Sequence, residues 1–267
     1  MPGYTGTLVP PWYDAPDTSL AGLLVAAFFY GASVAVAAFV SAKAVRRSSK
    51  RWRHNGRAKV YIAMIWAVIV TCMITSLCIW LFLLGIIPPS FWYFFGMRTW
   101  ADGDLCLGCK TQCLMQILAN RLSLIMYNPS RERRLKVGLL MALGLINVSV
   151  FVVWIPARLQ MSPEWVFANE VWDRTEKAIY AVIDMALNIY FMWLVRTKLV
   201  AGGLKEYRVL WKYNAAMACL SISLDVMLIG MMSLPDDAVY VQVHPLVYLT
   251  KLNIEMNMAE LIGKVSG

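Results

Sequence analysis

The chain has 267 residues, of which 60% are hydrophobic and only 15% are charged, and its mean hydropathy is +0.58. A soluble domain carries about a quarter charged residues, so this composition excludes a water-soluble fold and favours one polytopic membrane domain. The net charge of +9 is expected to attract anionic membrane lipid, and no nucleic-acid partner is predicted.

Seven stretches are long and apolar enough to cross a bilayer, which takes about 20 residues per helix. They lie at about 19–42, 60–87, 105–127, 136–158, 177–198, 209–234 and 239–263. Residues 1–18 are polar and proline-rich and lack the basic start of a signal peptide. We therefore expect a polar N-terminal segment, 1–18, and a single all-α, seven-helix transmembrane domain, 19–265.

Basic residues predict the orientation of this bundle, because cytoplasmic loops of membrane proteins are rich in Lys and Arg. The first, third and fifth linkers hold eight, four and five of them, and Lys264 adds one on the same side. The opposite side holds five. The N-terminus is therefore predicted to lie outside or in a lumen, and the C-terminus in the cytoplasm, with the endoplasmic reticulum as the default membrane.

Five ionisable side chains interrupt the predicted spans, two of them cationic and three acidic: Arg121, Asp184, Asp225, Lys251 and Glu255. A charge inside a bilayer is costly, so it is retained where it is paired, neutralised or functional. Pairing leaves one acid over, which is the best indication of chemistry in this chain. The alternative is a structural role, in which each interhelical hydrogen bond contributes about 0.6–2 kcal/mol.

The last five predicted helices each place polar residues on one face, and such faces must point inward in a membrane. The main positions are Gln112, Gln116 and Asn120; Asn147 and Trp154; Asp184 and Asn188; Asn214, Ser221 and Asp225; and His244, Tyr248, Lys251 and Glu255. This pattern predicts a shared polar interior lined by the third to seventh helices.

Depth along each helix, at about 1.5 Å per residue, suggests how these charges pair. Arg121 and Glu255 match in depth and are predicted to form an inner pair, with Lys251 between Glu255 and Asp225. The remaining acid, Asp184 or Asp225, is then expected to carry a proton, because burial disfavours a charged carboxyl group. A neutral carboxylic acid can act as a proton donor.

Three other features offer alternative chemistry. Lys251 is positioned for a retinal Schiff base, but residue 247 is Val where microbial rhodopsins carry an acid, and the third helix offers no Asp counterion.

Cys106 and Cys109 form a C-x-x-C that favours a disulfide over a metal site, and no metal is predicted. The aromatic and acidic linker 160–177 is typical of an interfacial belt, or of a lid facing residues 90–95.

Four long strings are distinctive: WIPARLQ (154–160), WDRTEKAIYAVIDMALNIYFMWLVRTKL (172–199), SISLDVMLIGMMSLP (221–235) and VQVHPLVYLTKLNIEMNMAEL (241–261). In these strings the chain resembles a family of uncharacterised seven-helix integral membrane proteins of filamentous ascomycete fungi. The chain departs from this pattern at residues 96–110. The resemblance implies the fold and no settled activity. In its size, helix number and intramembrane acids, the chain is also similar to the small membrane-bound cyclases of fungal meroterpenoid pathways.

These features predict a membrane-embedded cyclase of fungal secondary metabolism. It would close rings in a lipophilic terpenoid or polyene intermediate, by proton-initiated or pericyclic chemistry, without a redox cofactor. Asp184 or Asp225 is the predicted catalytic acid. The predicted substrate-binding residues are Asn120, Asn188 and Tyr248, which would orient the substrate, and Trp154 and Trp172, which would face a developing cation. The alternatives are a receptor-like sensor and a structural or transport accessory protein.

Overall fold

The computed structural model describes residues 19–51, 56–88, 110–123, 125–126, 128–197, 206–233 and 237–265. In these ranges all regular structure is helical, as predicted. The helices are α1 (Leu20–Arg51), α2 (Gly56–Leu83), α3 (Lys110–Ser123), α4 (Pro129–Arg158), α5 (Pro163–Val195), α6 (Glu206–Met231) and α7 (Asp237–Val265). The predictions for residues 1–18, for residues 90–95, for the departure at 96–109 and for Cys106 and Cys109 lie outside the described residues.

Five of these helices are long and apolar enough to cross a membrane, which is compatible with an integral membrane protein. They are α1, α2, α4, α5 and α6, over Leu20–Ser48, Lys59–Leu83, Pro129–Ala157, Pro163–Val195 and Trp211–Met231. Large apolar side chains on these helices are exposed, for example Phe28 and Ile189. Such a surface suits lipid, because hydrocarbon offers polar groups no partners.

The remaining two helices, α3 and α7, differ because they are short or polar. The α3 helix has 14 described residues, and α7 carries charged residues along its length. Most α7 side chains between Val239 and Ala259 are nevertheless buried, including Lys251 and Glu255. Neighbouring helices therefore cover the polar groups of α7.

The helices pack in a ring that follows chain order. Each helix contacts the next one, and α7 closes the ring on α1. The α7 helix also packs on α2 and α3, and α3 reaches α5, so α3 and α7 lie toward the middle. Among the described residues, the backbones of α5 and α7 do not touch. Long side chains bridge the space between them, and the candidate site lies there.

The connection between α4 and α5 is much shorter than the sequence predicts. The α4 helix begins after Asn128, whose side chain accepts a hydrogen bond from the Ser130 amide, and it ends at Arg158. The α5 helix begins at Pro163, a residue suited to the first helical position, with Glu164 in the first turn. The linker predicted at 160–177 is therefore mostly helix, which corrects its interpretation as a loop or lid.

The C-terminal part of α1 makes polar contacts with α7 that were not predicted from the sequence. The Lys43 ammonium donates to the side-chain oxygens of Asn253, over 3.1 Å, and of Asn257. Arg47 Nη2 donates to the Met256 carbonyl over 2.8 Å. The helix extends to Arg51, whereas the predicted span ends near residue 42, so these residues appeared to belong to a loop.

Candidate functional site

The five predicted ionisable residues lie together between α3, α5, α6 and α7. Four of them are buried, and Asp225 is half-buried. With Asn188 and Ser221 they form one set of hydrogen-bonded side chains, which we call the charge network. It contains three acids and two cations.

Arg121 anchors the α3 end of the charge network. Its Nη1 donates to Glu255 Oε1 over 3.1 Å, and its Nη2 donates to Asn188 Oδ1 over 2.8 Å. The guanidinium group also lies over the Phe191 ring, 4.2 Å from its centre, in a favourable cation–π arrangement. The structure thus contains the Arg121–Glu255 ion pair that the helix depths predict.

Lys251 takes different partners from those predicted. Its Nζ donates to Asp225 Oδ2 over 2.6 Å and to Asp184 Oδ2 over 2.9 Å. The predicted contact with Asp225 is present, but Asp184 takes the place assigned to Glu255. Side chains of a helix lean toward its N-terminus, so Lys251 points away from Glu255, which lies one turn further along α7. Lys251 therefore belongs with the two candidate acids and not with a separate structural pair.

Asp184 is the centre of the charge network. In addition to Lys251, its Oδ2 accepts from Ser221 Oγ over 3.0 Å, and its Oδ1 accepts from Asn188 Nδ2 over 3.1 Å. Because Asn188 also accepts from Arg121, the hydrogen bonds run without a break from Asp225 to Glu255. Asn188, a predicted substrate-binding residue, thus bridges the two halves of the charge network.

Two predicted polar faces point elsewhere and do not join a shared interior. Asn120 Oδ1 accepts from Lys136 Nζ over 3.0 Å, and Gln116 donates to the Lys136 carbonyl. Tyr180 donates to Asn147 between α5 and α4. The physical reason is that α4 packs only on α3 and α5 among the described helices, so polar residues facing it are separated from α6 and α7.

The predicted aromatic residues are also distributed differently. Trp154 lies on α4, away from the helices that carry Lys251 and Asp225, and Trp172 is a half-buried residue in the first half of α5. Tyr248 is buried on α7, where its hydroxyl accepts from Thr111 over 3.4 Å and its ring stacks on His244. The structure therefore does not gather Asn120 and Trp154 around the two acids.

A second charged cluster on α5 was missed by the sequence analysis, and we call it the α5 cluster. Lys177 Nζ lies 3.2 Å from Glu176 Oε2 and 3.4 Å from Asp173 Oδ1. Glu176 is only 2% exposed. The residues of the α5 cluster lie in the segment 160–177, which the sequence predicts to be a linker. The available signal was their phase, because Lys177, Asp184 and Asn188 recur at i, i+7 and i+11 on one helical face.

A cleft of about 230 Å³ opens beside the α5 cluster. Its walls come from the end of α4, the first turns of α5, the connection after α6 and the start of α7, and they include Glu170, Asp173, Arg174, Met232 and Tyr240. The cleft therefore lies on the side of the bundle where α4 meets α5 and α6 meets α7. The charge network lies deeper, toward the other end of α7.

Comparison of the chain with family models, curated proteins and solved structures gives no match. The resemblance to fungal seven-helix proteins and the roles of the site residues therefore remain predictions.

Proposed function

We propose that this chain is a membrane-embedded cyclase of fungal secondary metabolism that acts on a lipophilic terpenoid or polyene intermediate, with Asp225 as the general acid. The observation that supports the proposal is the acid surplus of the charge network, combined with the position of Asp225 at its edge.

The charge network has one more acid than it has cations, so its neutrality requires one further positive charge. Arg121 and Glu255 are direct ionic partners, so these two charges balance each other. The remaining members are Lys251, Asp184 and Asp225, which are two acids for one cation. A net charge held inside a bilayer is strongly unfavourable. We infer that one proton resides on the Asp184–Asp225 pair.

Hydrogen bonding favours Asp225 as the site of that proton. Asp184 accepts from Lys251, Ser221 and Asn188, and such donors stabilise the ionised form of a carboxyl group. The side chain of Asp225 is 14% exposed, against 4% for Asp184. Its neighbours on α6, Val226 and Met227, are exposed apolar residues. A neutral carboxylic acid at this edge is accessible to a substrate dissolved in the lipid.

The proposed reaction begins with proton transfer from Asp225 to the substrate. The O–H bond of Asp225 breaks as its proton adds to a terminal alkene carbon or epoxide oxygen of the substrate, and the carbocation closes the rings. Lys251, 2.6 Å away, stabilises the Asp225 carboxylate that forms. The final carbocation loses a proton to water, and the Asp225 carboxylate takes one proton back from solution, so the overall reaction is an isomerisation that uses no redox cofactor.

The test is product formation in yeast microsomes that contain the protein. The probes are a farnesylated phenol, its terminal epoxide and a linear conjugated polyene. We expect ring closure of at least one isoprenoid probe by the wild type, and its loss in Asp225→Asn. Ser223→Ala is the matched control, since Ser223 lies on the same helix, is exposed and, among the described residues, bonds to the Cys219 carbonyl of its own helix alone. Equal product formation by wild type and Asp225→Asn would reject the acid. Closure of the polyene alone, by both proteins, would favour a pericyclic reaction.

We also propose that all seven helices cross the membrane of the endoplasmic reticulum, with the N-terminus lumenal and the C-terminus cytoplasmic. The closed ring in chain order and the burial of the polar α7 residues support seven crossings. Glycosylation acceptor sites added before residue 19 and after residue 267 test the orientation. Modification of the N-terminal site alone is expected, and modification of both sites would contradict seven crossings.

A receptor-like sensor is the second candidate, and the cleft is the observation that favours it. The cleft lies on the side that the proposed topology assigns to the lumen, and α5 and α7 both connect it to the charge network. Genes for prenyltransferases, cytochromes P450 or polyketide synthases beside this gene would favour the cyclase.

A further inference from the structure

Lys43, near the C-terminal end of α1, is bonded to uncharged side chains. Its ammonium group donates to the side-chain oxygens of Asn253 and Asn257 on α7. Among the described residues, no carboxylate lies within ion-pair distance of this ammonium group. Lys251 and Lys177, in contrast, each contact two acidic side chains. Lys43 is therefore a cation that no described side chain neutralises.

Arg47 adds a second positive charge beside Lys43. It follows Lys43 at i+4, so the two side chains share one face of α1. Its Nη2 donates to the Met256 carbonyl over 2.8 Å and lies 3.6 Å from Glu260 Oε2. The Glu260 side chain is 47% exposed, and an ion pair to an exposed carboxylate is weak. We call the two cations and their partners on α7 the α1–α7 junction.

The α1–α7 junction lies at a depth where lipid headgroups are expected. Lys43 and Arg47 occupy the last two turns of the membrane-compatible segment Leu20–Ser48. About 20 residues suffice to cross the hydrocarbon core, so a segment of 29 residues can extend into the headgroup region. Phe39 and Val45, near Lys43 on α1, are exposed apolar residues, and Lys43 itself is half-buried. A lipid beside α1 therefore has access to the Lys43 ammonium group.

We propose that the α1–α7 junction binds the phosphate group of an anionic phospholipid. An ammonium group has three N–H donors, and Lys43 uses two of them on the asparagines, which leaves the third for a phosphate oxygen. Arg47 adds attraction for the same negative charge. An anionic lipid fits better than a zwitterionic one, because the headgroup of the latter carries its own cation. This inference concerns lipid binding and does not depend on the proposed cyclase chemistry.

The alternative is that Lys43 extends to the aqueous boundary and is hydrated there, as long basic side chains near helix ends often are. Anionic lipid would then be attracted by all basic residues on this side of the membrane alike. A specific site instead makes Lys43 more important than another cation at the same boundary. Arg133 is such a cation, because it is exposed in the first two turns of α4, which the proposed topology assigns to the same side.

The experiment is a lipid titration of the full chain in detergent, followed by native mass spectrometry, which counts the lipids bound to each protein molecule. The probes are phosphatidylglycerol and phosphatidylcholine with the same acyl chains, and inorganic phosphate is the competitor. Lys43→Gln removes the charge, and Lys43→Arg keeps it. Arg133→Gln is the matched control, since it removes one charge outside the α1–α7 junction. The melting temperature of each variant without added lipid verifies that it is folded.

We expect the wild type to bind one phosphatidylglycerol about tenfold more tightly than phosphatidylcholine. Lys43→Gln should lose most of this preference, while Lys43→Arg and Arg133→Gln should retain it. Equal affinity of the wild type for the two lipids would overturn the site, and so would equal losses in Lys43→Gln and Arg133→Gln. Displacement of phosphatidylglycerol by an equal concentration of inorganic phosphate would overturn the lipid as the occupant.

Discussion

Lys251 and Lys177 each lie between two acidic side chains, yet the two sites connect different numbers of helices. Lys251 on α7 bonds Asp184 on α5 and Asp225 on α6, so one ammonium group joins three helices. Lys177, Asp173 and Glu176 all belong to α5, and their ion pairs close within about one turn of it. The same chemistry is thus a tertiary clamp in the charge network and a local arrangement in the α5 cluster. We infer that the structural importance of a buried charge depends on how many helices it joins, and not on its burial alone.

Replacing the two lysines by an apolar residue of similar length sharpens this comparison most. Lys251→Met leaves Asp184 and Asp225, on separate helices, without their shared cation. Breaking a buried pair in this way costs about 3–5 kcal/mol, and the melting temperature should fall accordingly. Lys177→Met should cost less, because one of its two acids, Asp173, lines the cleft and all three charged groups belong to one helix. Thermal unfolding in nanodiscs measures both losses. Equal losses would contradict the distinction between clamp and local cluster.

Part of this comparison was available from the sequence. Ionisable residues in apolar stretches identified Arg121, Asp184, Asp225, Lys251 and Glu255, and helical phase placed Ser221 on the same face as Asp225. Phase assigns a side chain to a face of its helix but does not say which helix it meets. Asn120 therefore appeared to point inward, whereas it meets Lys136 of α4.

Side-chain reach and helix boundaries explain the other errors. Depth matching treated Lys251 as if it stayed level with its own backbone, but its long side chain leans toward the start of α7 and reaches Asp184. The α5 cluster and the α1 contacts of Lys43 were missed because both helices extend beyond the predicted apolar spans. A hydropathy pattern identifies the apolar part of a helix. It does not identify the polar turns that extend the helix beyond that part.

The Arg121–Glu255 pair offers a second test of the clamp. Arg121→Leu leaves Glu255 buried without its counter-charge and removes the donor to Asn188, so we expect a loss of about 3–5 kcal/mol. The double variant Arg121→Leu/Glu255→Leu removes both charges and should recover a large part of that loss, since an uncharged replacement of a buried pair is often tolerated. Melting temperatures of the two single variants and the double variant give the coupling. A double variant less stable than either single variant would contradict the pairing.

Ser221 makes the smallest expected contribution to the charge network. Ser221→Ala removes one hydrogen bond to Asp184, while Lys251 and Asn188 still satisfy that carboxylate. We expect a loss of about 1 kcal/mol. Ser223→Ala, two residues along α6, removes only a local bond and should leave the melting temperature unchanged. A loss in Ser223→Ala as large as in Ser221→Ala would show that the α6 serines act on the helix and not on the network.

The central claim is that Lys251 is balanced by an ionised Asp184 while Asp225 carries the proton, and a pair of double variants tests it most directly. The measurement is the unfolding free energy of Lys251→Met alone, with Asp184→Asn, and with Asp225→Asn. Removing the true counter-charge together with the lysine restores neutrality. We therefore expect that Asp184→Asn recovers most of the stability lost in Lys251→Met, and that Asp225→Asn recovers little. Greater recovery with Asp225→Asn would contradict it and would place the proton on Asp184.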